Sequence, residues 1–244
     1  MRPFAATASP ALLVAGLLAL TGCSRTADAP TAKTEPTAPP AVPTLPTAPA
    51  EASPPEGVLL AYVWECEDGR RLNMKNLFRE NAITLEMHEG PRKLPQVVAA
   101  SGAKYSDGSL TFWTRGDSAT WEHQGTRVEC RALRFESLLA DARERGVRYR
   151  GTGNEPGWLV EIGPGERIEF VTAFGQERHS FDTATESAGD GNARVFTATH
   201  GDQPIQVTVS AEACMDDMSG AAFDHVVRVE FGGQSHRGCG AALQ

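Results

Sequence analysis

Across 244 residues the chain carries 23 Lys and Arg against 31 Asp and Glu, a formal net charge of −8. The imbalance is local: residues 57–146 hold 13 basic and 13 acidic side chains, whereas residues 147–244 hold 7 and 14. An acidic half disfavours nucleic acid and anionic lipid as partners and tolerates a cationic one.

The N-terminus reads as a leader. Arg2 precedes an apolar run from Ala11 to Leu20 that closes with Leu20-Thr21-Gly22-Cys23. Such a run is too short for a hydrocarbon core about 30 Å thick, and small residues before a cysteine mark a cleaved signal. Residues 1–22 are thus expected to be a lipoprotein signal peptide, with Cys23 lipidated (palmitate-bearing), mature and membrane-anchoring. Ser24 resembles the sorting residue of lipoproteins sent to the outer membrane, facing the periplasm. From Cys23 to Glu56 the composition shifts to Pro, Ala and Thr, with nine prolines between Ser24 and Glu56. Such a segment lacks the apolar surface to fold, and as a polyproline-like tether it reaches up to ~100 Å at about 3.1 Å per residue.

Setting Cys23 aside leaves Cys66, Cys130, Cys214 and Cys239. An oxidising periplasm permits two disulfides, and four cysteines allow three connectivities. The pairing chosen is Cys66–Cys130 with Cys214–Cys239, which staples each half of the chain separately; each loop closure is worth about 3–4 kcal/mol in a chain-entropy description.

From Val58 the apolar pattern has period two. Leu60, Tyr62, Trp64 and Cys66 alternate, Asp68-Gly69 turns the chain, and Leu72 and Met74 continue, which predicts a hairpin. Further runs follow at Ile83/Leu85/Met87, Leu94 to Val98, Leu110/Phe112, Ala119/Trp121 and Val128/Cys130. They are separated by Gly90-Pro91, Ser106-Asp107-Gly108, Arg115-Gly116-Asp117 and Gln124-Gly125. Short strands at this spacing predict a small antiparallel barrel or sandwich over residues 57–133. Phe135, Leu138, Leu139 and Ala142 then fall at helical spacing and Gly146 follows as a stop signal, so residues 134–146 are expected to form a short connecting helix. Alternation resumes at Trp158/Val160/Ile162, Ile168/Phe170, Val195/Phe196, Ile205/Val207/Val209 and Val227/Val229/Phe231, with Gly163-Pro164-Gly165 and Gly232-Gly233 as turns. The expected class is all-β, with a second, acidic β-rich domain over residues 147–244.

Four features of the first half stand in order: Tyr62-Val63-Trp64-Glu65-Cys66-Glu67-Asp68-Gly69, Ala100-Ser101-Gly102-Ala103-Lys104-Tyr105, Phe112-Trp113-Thr114-Arg115-Gly116-Asp117-Ser118-Ala119 and the closing Cys130. Together they resemble a known family, the membrane-bound inhibitors of C-type lysozyme. Singly they are weak; in this order and spacing they are specific, and they span residues 60–130. The resemblance implies an eight-stranded barrel with one disulfide, C-type lysozyme as partner, and a Ser-Gly-x-x-Tyr loop that enters the enzyme's cleft with Ser101 at its tip. Ser101, Gly102, Tyr105 and Arg115 are the expected contact residues, Arg115 standing where the family has lysine. The chemistry is coherent. A retaining glycosidase presents two carboxyl groups about 5–5.5 Å apart, and a serine hydroxyl both donates and accepts. An arginine fork adds paired hydrogen bonds to a carboxylate. Tyr105 and Trp113 fit the barrel core and the contact surface equally well.

Inhibition by occupancy needs no nucleophile, so the chain is read as a non-enzyme with no cofactor and no metal. Asp216, Asp217 and Asp224 beside His225 lack the spacing of an EF-hand or a paired-histidine site. Gly151-x-Gly153-x-x-Pro156 lacks the third glycine and the crossover helix of a dinucleotide fingerprint. Around Arg150 to Trp158, Cys214 to Ser219 and Gly238-Cys239-Gly240 the second half resembles a β-rich domain of uncharacterised envelope lipoproteins. The alternative function is therefore an envelope-binding module that recognises peptidoglycan, a small ligand or an assembly partner through residues 147–244.

Overall fold

The computed structural model describes Pro55 and residues 57–244. The leader, Cys23 and the tether apart from Pro55 lie outside the described residues. The rest is all-β with one α-helix: a closed eight-stranded barrel, the helix, and a nine-stranded antiparallel sheet accompanied by a two-stranded ribbon.

The barrel strands are β1 (Ala61–Cys66), β2 (Arg71–Leu77), β3 (Ala82–Met87), β4 (Gly90–Val97), β5 (Ala103–Ser106), β6 (Leu110–Arg115), β7 (Ser118–His123) and β8 (Thr126–Ala132), each pairing with the next. Inward side chains alternate with outward ones, so Trp64, Leu72, Ile83, Leu85, Leu94, Leu110 and Phe112 fill the centre. Trp64 and Phe112 meet edge to face at 5.5 Å, a geometry their quadrupoles favour. Closure comes where Cys66 of β1 stands opposite Cys130 of β8, and those two cysteines form a disulfide.

Two details depart from the periodicity. Gly90 and Pro91, expected as a separator, open β4 opposite Met87 and Glu86. The strand tolerates Pro91 and Pro95 because it pairs with β5 only at Gln96 and Val97, and along an open edge a missing N–H costs little. Strand β5 has no alternation, since all four residues are half-buried; periodicity alone did not reveal it.

Helix α1 (Arg134–Glu144) begins where β8 leaves the barrel, and Gly146 follows it with φ +79°. β1 meets β8 only from Trp64 to Cys66, so its earlier residues need partners elsewhere. The helix provides them. The Val63 N–H donates to Ser137 Oγ (2.9 Å), the Leu60 N–H donates to Asp141 Oδ1 (2.6 Å), and the Leu133 N–H donates to the Val63 carbonyl (2.8 Å).

The second sheet takes β9 (Tyr149–Asn154), β10 (Gly157–Ile162), β11 (Ile168–Thr172), β12 (Glu177–Phe181), β13 (Thr185–Ala188), β14 (Arg194–His200), β15 (Gln203–Ser210), β18 (His225–Phe231) and β19 (Gln234–Ala242). The ribbon is β16 (Cys214–Met215) with β17 (Ala222–Phe223). Sheet order is β12-β11-β10-β9-β19-β18-β15-β14-β13. The sheet curls on itself, because Phe231 of β18 meets Phe170 of β11 at 5.6 Å and Phe181 of β12 at 6.0 Å, although those strands are not neighbours. At its centre β9 and β19 are glycine-rich for a steric reason. A Cβ on Gly238 would stand 1.9 Å from the Thr152 carbonyl oxygen, and one on Gly153 would stand 2.2 Å from Trp158 Nε1. Gly153 thus serves indole packing, and Gly151 makes room for the Val227 side chain, 2.8 Å from where its Cβ would stand. A disulfide, Cys214–Cys239, fastens the ribbon to β19.

Helix and second sheet meet through buried charge. Arg145 donates to Asp141 Oδ2 (2.8 Å) and forks onto Glu161 Oε2 and Oε1 (2.6 and 2.9 Å), while Arg150 pairs with the same Glu161. Burial pushes the Glu161 carboxyl up, but the bonds from Arg145 and the charges of Arg150 and Arg145 outweigh it and hold it below the ordinary value. Glu161 is 8% exposed, and breaking a buried pair by removing one partner costs about 3–5 kcal/mol. Glu161→Gln is expected to lower stability by about 3 kcal/mol at pH 7. Because the folded pKa lies below the unfolded value of about 4.3, the carboxylate's contribution is complete above that pH and is lost as pH falls through the folded pKa. Denaturation curves between pH 3 and 8 should show the variant flatter on the acid side; a loss under about 0.5 kcal/mol at pH 7 would mean the cluster does not join helix to sheet.

Candidate functional site

The loop from Val98 to Gly102 joins β4 to β5 at one end of the barrel, and β6 ends beside it at Arg115. Gly102 is forced. Its φ is +66°, and a Cβ there would lie 2.1 Å from the Thr114 carbonyl oxygen and 2.8 Å from Arg115 Cγ. The loop backbone therefore runs directly against the end of β6, and Ser101, exposed, stands next to Arg115, also exposed.

Trp113 ties the two together. Its indole Nε1 donates to the Ser101 carbonyl at 2.8 Å, which holds the loop tip in place. Its ring carries the Arg115 guanidinium, whose Cζ is 3.5 Å from the ring centroid, with Lys104 Nζ at 5.3 Å. Register explains the cluster: Trp113 and Arg115 are two apart on β6 and share a face, and Lys104 is the direct cross-strand partner of Trp113. Such a cation–π contact contributes about 0.5–1 kcal/mol at an exposed site, and it keeps the arginine extended.

The neighbouring acids are engaged elsewhere. Asp117 binds Arg134 (2.7 Å) and Asp107 binds Arg92 (2.6 Å). Burial pushes the Asp107 carboxyl up, yet hydrogen bonds from the Leu110 and Ser109 amides, Arg92 and the Ser109 hydroxyl hold it far below the usual carboxylate range. That fixes the β5–β6 turn. Among the described residues, no carboxylate is within ion-pairing distance of Arg115 or Lys104. Two cations, an aromatic face and a free hydroxyl thus project together.

Tyr105 lies apart from this patch. It faces Phe112 across the β5–β6 pair and packs half-buried against the barrel core. Burial, with Tyr62 nearby, raises its pKa above the ordinary phenol value. Ser101, Gly102 and Arg115 are brought together; Tyr105 is not among them. The sequence does not single out Lys104 and leaves Trp113 open between core and surface. The hairpin turn at Ser106-Asp107-Gly108, once its register is set, supplies the signal that places both beside Arg115.

Residues 64–129, all within the barrel, match the family model described as membrane-bound lysozyme-inhibitor of c-type lysozyme. The barrel is lysozyme-inhibitor-like. Within the inhibitor-like segment the chain is similar to a membrane-bound lysozyme inhibitor of C-type lysozyme from Yersinia enterocolitica, with 37% identity over 67 residues. That alignment takes in 27% of this chain and 57% of the relative, so the chain spans little more than half of the relative's length. No solved structure matches the chain.

The Asp216 region is organised differently. Asp216 accepts from the Ser219 amide (2.7 Å), the Ser219 hydroxyl (2.6 Å) and Asn154 Nδ2 (2.9 Å), and these bonds lower its pKa. Its oxygens are spent on a turn.

Gly102→Ala in the inhibitor-like loop combines left-handed backbone strain with a backbone clash and should cost about 2 kcal/mol or more. Gly116→Ala, also at positive φ but with open space around the site, should cost about 1 kcal/mol. Thermal denaturation of both variants checks this; equal losses would mean the loop is not pressed against β6.

Proposed function

We propose that this chain is an envelope-anchored inhibitor of C-type lysozyme that acts by filling the enzyme's cleft. The observation that carries the reading is the unpaired Arg115 stacked on Trp113 beside the exposed Ser101, inside the segment that matches the inhibitor family. In lysozyme one catalytic carboxyl is protonated and the other ionised. Ser101 is suited to accept from the acid and donate to its ionised neighbour, while the Arg115 fork pairs with the carboxylate. Gly102 allows the tip to stand close to β6. Sugar is excluded by occupancy, and the chain itself performs no chemistry.

The leader and Cys23 complete the reading: a lipid anchor in the outer membrane and a proline-rich tether hold the barrel in the periplasm, where it intercepts lysozyme. The relative's printed name, a membrane-bound inhibitor, supports membrane association.

An inhibition assay with the chain lacking residues 1–23 tests this directly. Truncating one member of a buried charged pair at an interface typically costs about 2–5 kcal/mol. Arg115→Ala should therefore weaken inhibition about thirtyfold or more, and Ser101→Ala about tenfold, while Arg115→Lys stays within about tenfold of the parent. Full inhibition by both alanine variants would overturn the mechanism, and no inhibition by the parent chain would overturn the function.

A further inference from the structure

Most of the large exposed apolar side chains lie on two neighbouring hollows. Among the described residues, Phe135 and Leu138 of α1 and Phe174 after β11 lie together, Met215 and Met218 line a hollow that shares Asn154 and Asp216 with theirs, and Val58 and Val98 stand apart, Val98 three residues before Ser101. The first three line a groove of about 410 Å³ floored by Leu159 and Val171 on the outer face of the second sheet. Monomers seldom leave such a patch uncovered without a use for it.

The groove is built to hold its shape. Phe174 is 81% exposed and follows Ala173 in a pair of residues with φ +50° and +54°; strain of this kind persists where the surroundings enforce it and clusters at binding sites. Met218, 80% exposed, sits on a loop fastened by Cys214–Cys239 and by the Asp216 bonds to Asn154 and Ser219. Phe223 of the same loop meets Phe135 edge to face at 5.1 Å. A flexible methionine can adapt to an irregular partner surface, and phenylalanine adds a stiffer apolar face.

Two observations indicate what covers it. Leu138 lines both the groove and an adjoining hollow that Asp117 and Arg134 also line. Asp117 lies in the turn two residues beyond Arg115. The neighbouring hollow of Met215 and Met218 is acidic, with exposed Glu155 and Asp217 against one exposed cation, Arg237. That charge matches a cationic enzyme.

We infer that this groove is a second docking surface for the same lysozyme whose cleft receives Ser101 and Arg115, an inference that rests on the inhibitor reading. A stable complex buries about 800 Å² on each partner, more than a loop tip supplies. An enzyme seated on Ser101 extends over Asp117 and Arg134 and places an apolar part of its surface between Phe174 and Met218.

The test measures binding kinetics of the chain lacking residues 1–23 on immobilised C-type lysozyme. Phe174→Ser combined with Met218→Ser should weaken binding at least tenfold, mainly through faster dissociation, with the melting temperature unchanged because both side chains are exposed. Asp217→Arg should slow association several-fold at low salt and little near 1 M, where the screening length is about 3 Å. If the double variant binds within twofold of the parent while Ser101→Ala binds weakly, the groove is not a lysozyme surface and the inhibitor reading stands. A parent chain that binds no lysozyme overturns both. Self-association of the parent that the double variant abolishes, with lysozyme affinity unchanged, assigns the groove to a second copy and overturns the inference.

Discussion

Where β8 leaves the barrel, the first residues of β1 lose a neighbour on one side, and the side chains of α1 replace it. Ser137 and Asp141 take the Val63 and Leu60 amides, groups that would each cost about 1–3 kcal/mol if buried without a partner. One turn further, Arg145 joins Asp141 to Glu161 of the second sheet. A single short helix therefore completes the barrel wall and fixes the second sheet against it. Because Arg134 at its start also holds Asp117, the turn after Arg115 is referenced to the same helix.

The candidate site follows from that rigidity. An exposed arginine loses side-chain freedom on binding, and a loop tip on an ordinary connection loses backbone freedom as well. Trp113 removes part of both costs in advance, since its indole N–H holds the Ser101 carbonyl and its ring carries Arg115. The steric requirement at Gly102 acts in the same direction. These three residues stand on the inhibitor-like segment, and the chain's own neighbouring acids, Asp107 and Asp117, are occupied by Arg92 and Arg134. Among the described residues the Arg115 guanidinium has no acidic partner.

Glycine carries different meanings in the two halves. In the barrel, Gly102 permits a close approach of a loop to a strand end. In the second sheet, Gly153 and Gly238 permit two central strands and the Trp158 ring to come together. The same freedom from a Cβ erases the alternation by which strands are recognised, which is why β9 and β19, the pair that joins the sheet's two arms, had no signature. Strands β12 and β13 were silent for a simpler reason: few of their residues are buried.

By itself the sequence determined the all-β class, the connecting helix and most barrel strands, because apolar spacing records which face each segment must bury. Motifs in their order placed residues 60–130 beside the lysozyme inhibitors and marked Ser101 and Arg115. Only the tertiary structure decided that Tyr105 faces the core, that Lys104 and Trp113 join the patch, and that Phe174 gathers with Phe135 and Leu138. Register, strand curl and helix docking bring together residues distant in the chain, and those arrangements are set by packing and hydrogen-bond satisfaction across the whole molecule, which no local pattern encodes.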